Sequence, residues 1–207
     1  MVTLAGKEEN RKDKTEKMNT THKIRIVGGQ YRQTPIPVIH APGLRPTPNR
    51  VRQTLFNWLR HIWGGRFDDK QVLDVFAGSG ALGFEAASQG AAYVQMIEHA
   101  PPAVAALRQL RNKLGAHQVR IHAGDALIAL ERMPPGRFDL VCLDPPFKQD
   151  WLAQVWPLIP ALLTPDGLIY VESASSITPP EPFMLLRQSH AGQVHFGLLR
   201  LSSAISS

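Results

Sequence analysis

The chain has 207 residues, 43% of them hydrophobic, with 23 Lys/Arg against 17 Asp/Glu and a formal net charge of +6. That supports one sizeable core with a small appendage. No apolar run approaches bilayer length, and no apolar stretch with a small-residue cleavage site opens the chain, so neither a membrane protein nor a secreted one is expected.

Residues 1–17 are polar, with charges of both signs, and read as a disordered tail. Residues 18–69 form a basic hairpin-and-helix unit, and residues 70–207 a larger α/β domain. Charge divides along the same line. Residues 1–70 hold 14 Lys/Arg and 6 Asp/Glu, a net +8, whereas residues 71–207 hold 9 and 11, a net −2. Eight basic side chains and no acid lie between Met18 and Arg66. A region so composed suits a polyanion, because each neutralised phosphate releases counterions. Arg25, Arg32, Arg45, Arg50 and Arg52 are its candidate contacts to such a polyanion.

Ile24 to Ile39 reads as two short strands around a Gly28-Gly29 turn, the second confined to an edge by Pro35 and Pro37. Pro42 to Pro46 is a rigid linker. Thr47 then reads as a helix N-cap with Pro48 in the first helical position. Val51, Leu55, Trp58, Leu59 and Ile62 recur at helical spacing and mark the core face, leaving Arg50, Arg52 and Asn57 for a partner. Gly64-Gly65 ends the helix.

From Gln71 strands and helices alternate. Apolar runs predict strands at Val72–Phe76, Tyr93–Ile97, Val119–His122, Phe138–Leu143 and Leu168–Val171. Helices are predicted at Ala81–Ser88, Ala103–Leu114, Ala126–Leu130 and Trp151–Leu163. Phe183–Leu186 and Val194–Leu201 read as two more strands, with Gly192 in the turn. Such alternation predicts a doubly wound, Rossmann-like parallel sheet. The one cysteine, Cys142, falls in the fourth strand, where an inert buried thiol is expected; it fits a reducing cytoplasm. The eight histidines are scattered, none in a short ligand pair with the cysteine, so no metal is expected.

Two motifs carry chemistry. Asp74-Val-Phe-Ala-Gly78-Ser-Gly80-Ala-Leu-Gly83 joins the first strand of the sheet to its helix and matches G-x-G-x-x-G. Glu98, after the second strand, stands where an acid grips ribose hydroxyls. The loop alone is ambiguous between a nicotinamide dinucleotide and S-adenosyl-L-methionine. Asp74 favours the latter, since a carboxylate repels a pyrophosphate but suits a sulfonium and an ammonium. Asp125, after the third strand, is placed to accept from the adenine amino group and also reads as a helix N-cap.

Asp144-Pro145-Pro146-Phe147 follows the fourth strand, at the edge where doubly wound sheets bind ligands. An exocyclic amine conjugated to a ring is a poor nucleophile because its lone pair is delocalised. A carboxylate and a backbone carbonyl accepting its N–H bonds orient it and free the lone pair, and Phe147 supplies a face for the base. A nicotinamide oxidoreductase, a non-catalytic RNA-binding module and a DNA amino-methyltransferase are the competing readings. Asp74 and the Asp144 turn argue against the first. The second leaves that turn unexplained, and the third needs a target-recognition domain for which the chain has no room.

With this tetrapeptide the chain resembles class I methyltransferases of amino groups, whose signature is [Asp/Asn]-Pro-Pro-[Phe/Tyr/Trp]. That signature alone does not choose among adenine N6, cytosine N4, guanine N2 and glutamine amide. Arg25-Ile-Val-Gly-Gly-Gln-Tyr-Arg32 and Gly43-Leu-Arg-Pro-Thr-Pro-Asn-Arg-Val-Arg-Gln-Thr-Leu-Phe-Asn-Trp-Leu59, with the Asp74–Ala86 loop, narrow it. Together they resemble the bacterial 16S rRNA guanine-N2 methyltransferases of the RsmD type, from about Lys23 almost to the C-terminus. The resemblance implies methyl transfer from S-adenosyl-L-methionine to N2 of guanine 966 of 16S rRNA, with a small-subunit assembly particle as the substrate and a cytoplasmic monomer as the enzyme. It implies cofactor contacts at Asp74, Phe76, Ala77, Gly78, Gly80, Glu98, Asp125 and Ala126, and a guanine held by Asp144, Pro145, Pro146 and Phe147. Gln53 stands where the family usually has an acid.

Overall fold

The computed structural model describes residues 24–38, 47–146 and 151–202. The tail at 1–17, the linker at Pro42–Pro46, Arg45 and Phe147 therefore lie outside the described residues.

Strands β1 (Ile24–Arg25) and β2 (Pro35–Ile36) pair antiparallel, Ile24 opposite Ile36. Helix α1 (Asn49–Ile62) follows, then β3 (Gln71–Asp74), α2 (Ala81–Gln89), β4 (Tyr93–Glu98), α3 (Pro101–Leu114), β5 (Val119–Ala123), α4 (Ala126–Glu131) and β6 (Phe138–Leu143). The expected helix over Trp151–Leu163 is instead three short pieces. These are α5 (Trp151–Val155), a 3-10 turn (Trp156–Leu158) and α6 (Ile159–Leu162). Pro157 and Pro160 explain the breaks, since each lacks the N–H that a continuous helix requires. The fifth strand of the parallel set is longer than its apolar run. β7 spans Leu163–Ser173, with a register shift where Leu163 faces Phe138 and Leu168 faces Leu140. β8 (Phe183–Ala191) and β9 (Val194–Leu201) close the chain as a hairpin.

The seven strands run in the order β5-β4-β3-β6-β7-β9-β8. β5, β4, β3, β6 and β7 are mutually parallel, and β9 joins β7 antiparallel. Crossover helices cover both faces, which is why these strands read as apolar runs. On one face α1, α2 and α3 bury Val51, Leu55, Leu59, Phe84 and Leu107 against Val72, Val94 and Leu140. On the other, α4 to α6 bury Leu130, Val155 and Ile159 against Leu73, Val141 and Ile169.

The β1–β2 hairpin belongs to the first of these cores. Ile26 is fully buried and Tyr31 nearly so, within the same cluster as Leu55 and Phe84. Glu85 of α2 accepts the backbone N–H groups of Val27 at 2.7 Å and Gly28 at 2.8 Å. Ser88 Oγ accepts from Tyr31 N at 2.8 Å, and the Ser88 carbonyl accepts from Gln30 N at 2.8 Å. This approach needs Gly29. Its φ is +73°, and a Cβ there would fall 1.7 Å from the Ser88 carbonyl oxygen.

Candidate active site

Because the five strands are parallel, their carboxyl ends share one edge, and acids line it. β4 ends on Glu98, β3 on Asp74, β6 runs into Asp144, and β7 carries Glu172 one residue beyond the Leu143–Val171 pair. Those four strands are neighbours in that order.

The glycine loop is built from the backbone up. Ala77 N–H bonds the Ile97 carbonyl at 2.9 Å, which ties the loop to β4. Gly78 and Gly80 take φ of +52° and +78°, and a Cβ on Gly80 would sit 2.4 Å from Leu107 Cδ2. Glu98 spans the gap: Oε2 accepts from Gly78 N and Oε1 from Ala100 N, both at 2.8 Å. It is thus a brace for the loop as well as a candidate for ribose hydroxyls.

Asp74 is 1% exposed. Its Oδ2 accepts the Gly83 N–H at 3.0 Å, satisfying an orphan donor in the first turn of α2. Its Oδ1 is buried with no partner. Burial, with Glu98 and Glu172 near, pushes its pKa up to about 7 against the pull of the Gly83 bond. A buried carboxylate oxygen lacking a donor is costly, and a cationic ligand group removes that cost. The donor set, buried acids and backbone N–H groups with the unpartnered Asp74 Oδ1 among them, fits the cationic groups of S-adenosylmethionine better than a pyrophosphate. Asp125 is exposed and caps α4, Oδ1 accepting from Ile128 N at 3.1 Å; Ala126 behind it is buried. Phe76 is half-buried with its ring 5.7 Å from Trp151.

At the turn after β6, Asp144 and Pro146 are half-buried and Pro145 is buried. Burial first, then Glu172 and Asp74, hold the Asp144 carboxyl well above the usual carboxylate range. Thr47 opposes this by donating its hydroxyl to Asp144 Oδ2 at 3.1 Å. Its expected capping role is therefore not what the structure gives. Helix α1 starts at Asn49, Pro48 holds the cap position, and no side chain caps it. Thr47 and Glu172, each 3% exposed, are the site residues that sequence reasoning missed.

The expectation for Arg52 is also corrected. It is fully buried. Its Nη2 donates to the Arg25 carbonyl at 2.7 Å and to Asn49 Oδ1 at 2.6 Å, and Nη1 to the Ala81 carbonyl at 3.4 Å. Burial lowers its pKa, and Glu85 and Glu172 oppose that by favouring its charge. It joins β1, α1 and α2 internally and presents nothing to a polyanion. The spacing held the signal, because 52, 55, 56 and 59 share one helical face. Arg25, Arg32 and Arg50 are exposed, as is Gln53.

Among the described residues no group of three or more His, Cys, Asp or Glu is arranged to hold a metal, and no helix is long and apolar enough to cross a membrane.

Comparison with known proteins adds to this geometry. The family model described as conserved hypothetical protein 95 matches residues 24–200. The ribosomal RNA small subunit methyltransferase D of Escherichia coli K12 is 40% identical over 180 residues, covering 84% of this chain and 88% of that protein. Its namesake in Haemophilus influenzae is 34% identical over 192 residues, covering 89% and 97%. Among solved structures, the putative methyltransferase yhhF of Escherichia coli superposes with a TM-score of 0.75 at 39% identity, covering 88% of this chain and 99% of that one. The doubly wound, mostly parallel sheet is thus a Rossmann-like class I methyltransferase fold.

Proposed function

Since the chain belongs to the conserved hypothetical protein 95 family, alongside relatives named ribosomal RNA small subunit methyltransferase D, we propose that it methylates the exocyclic N2 of a guanine in 16S rRNA. The observation that carries this reading is the row of acids. Glu98, Asp74 and Asp144 end three adjacent parallel strands, with a buried acceptor of Asp74 left unpartnered.

S-adenosylmethionine, when bound, supplies a methyl carbon activated by the sulfonium. Asp74 Oδ1 takes a cationic group of that ligand, Glu98 its ribose hydroxyls and Asp125 its adenine amino group, around the Gly78–Gly80 turn, with Phe76, Ala77 and Ala126 lining it. Asp144 and a backbone carbonyl of the turn that follows it accept the two N–H bonds of the target amine. The amine lone pair would form the new N–C bond as the C–S electron pair leaves to sulfur, and Asp144, which accepts an amine N–H, would take the proton that the nitrogen sheds. Positioning and a preorganised acceptor supply most of the acceleration. The base must leave its stack to reach this edge, at a cost of a few kcal/mol that Phe147 offsets by stacking. Arg25, Arg32, Arg45 and Arg50 contact the RNA backbone, Arg50 being exposed in the first turn of α1.

The test is to map methylated guanines in 16S rRNA from cells lacking the protein, then add it back to their small subunits with S-adenosylmethionine. Loss and restoration of one N2-methylguanine is the expected result. Restoration of an N6-methyladenine or N4-methylcytosine instead would overturn the acceptor assignment. Phe147→Ala should lower kcat/KM roughly ten- to hundredfold and Phe147→Tyr little, because the ring face persists.

A further inference from the structure

Of the four acids along the edge, the mechanism above uses three. Glu172 is as buried as Asp74, and its Oε1 accepts the Tyr170 hydroxyl at 2.7 Å. The Thr47 hydroxyl donates to Asp144 Oδ2 at 3.1 Å, and it also opposes the rise that burial imposes on the pKa of Glu172. One threonine hydroxyl therefore acts on two carboxylates, the half-buried Asp144 and the buried Glu172. It has one proton to give and lone pairs to accept with. When Glu172 carries a proton it donates to Thr47, and Thr47 donates to Asp144. When Glu172 is ionised the two carboxylates compete for the single hydroxyl proton. Nothing in the helix explains this hydroxyl, since it caps no N–H of α1.

We propose that Thr47 is a positioning residue for methyl transfer: its hydroxyl, braced from behind by Glu172 and Tyr170, fixes the Asp144 carboxylate in the orientation that receives the target amine. This deepens the functional reading above and rests on it.

The charged and titratable groups around Asp144 are Asp74 from β3, Cys142 from β6, Tyr170 and Glu172 from β7, and Arg52 of α1 beyond Glu172. Two substitutions act on Asp144 in opposite directions. Thr47→Val keeps the shape but removes the bond that favours the ionised form, so Asp144 holds its proton to higher pH. Glu172→Gln keeps an acceptor for Tyr170 but removes a negative charge, so Asp144 releases its proton at lower pH.

The experiment is single-turnover methylation of small subunits that lack the modification, with saturating S-adenosylmethionine, across a pH series. The binding of S-adenosylhomocysteine to each variant serves as the control for folding. Thr47→Val should slow transfer by about tenfold or more, leaving that binding and the KM for the particle within roughly threefold. Its acid limb should move to higher pH, that of Glu172→Gln to lower pH, and Thr47→Ser should recover most of the rate. A wild-type rate and pH limb in Thr47→Val overturns the proposal. So does a limb that shifts the same way in both variants, or in neither. Should Thr47→Val fail to bind S-adenosylhomocysteine, Thr47→Ser and Glu172→Gln decide: a slow serine variant, or an unmoved limb in Glu172→Gln, overturns it. If the wild-type protein leaves the particles unmethylated, the functional reading itself fails, and that result is distinct from an active enzyme indifferent to Thr47.

Discussion

Asp74 sets stability against binding within one side chain. Its folded pKa of about 7 lies above the ordinary 3.8, so the folded protein holds the proton more tightly than the unfolded chain. The stability linked to that proton is complete below the ordinary value and is lost as pH rises through about 7. Asp74→Asn should therefore raise the Tm of the ligand-free protein at pH 8 and leave it unchanged near pH 4. The same variant should bind S-adenosylhomocysteine poorly, because a neutral amide replaces the anion. Thermal melts at the two pH values, paired with calorimetry, check both halves; equal Tm gains at both would remove the titration from the account. Glu98→Ala should also weaken that ligand strongly, through lost ribose contacts and through a loop freed at Gly78. Undiminished affinity would refute the ribose assignment. Asp74 was legible in the sequence because it follows an apolar run and opens the glycine loop that reaches Gly78, and Glu98 because it ends the next strand, where an acid meets ribose hydroxyls. Glu172 follows such a run without either marker. Thr47 satisfies a local capping rule, whereas its true partner stands 97 residues away. Long-range pairing of that kind leaves no trace in spacing.

Among the elements, α1 does two jobs with its arginines. Arg50 faces outward and Arg52 inward, so the basic segment divides into surface charge and internal scaffold. Neutralising Arg25, Arg32 and Arg50 together should raise the KM for the RNA particle and flatten its salt dependence, with S-adenosylhomocysteine affinity intact. An unchanged salt slope would leave the segment a cover for the core. Arg52→Ala should behave in the opposite way. It strips donors from the Arg25 and Ala81 carbonyls and from Asn49 and removes the charge facing Glu85 and Glu172. Breaking a buried charged network by removing one partner costs about 3–5 kcal/mol, so Tm should fall by roughly 6–20 °C. The inner parallel strands were readable because burial on both faces makes them largely apolar, whereas the edge strand β5 exposes Arg120 and His122. The helix over residues 151–163 was misread as continuous, since apolar periodicity persists across Pro157 and Pro160 although hydrogen bonding does not.

Taken as a whole, the molecule has two apolar layers on either side of one sheet, and its N-terminal hairpin is welded into one of them. With two residues in each strand, that hairpin has almost no stability of its own. Its anchors are Glu85 and Ser88, 57 to 60 residues further along the chain. During synthesis the segment therefore leaves the ribosome well before its docking surface exists. It waits, unpaired and basic, until α2 has been made. Closing so long a loop delays its ordering relative to local structure. In refolding followed by pulsed hydrogen exchange, the amides of Val27, Gly28 and Tyr31 should gain protection together with those of β3 and α2, never ahead of them. Gly29→Ala, which drives a methyl group into the Ser88 carbonyl, should delay that protection most. A segment made early is thus among the last to be fixed, and the basic hairpin docks only after the Gly78–Gly80 loop and α2 are in place.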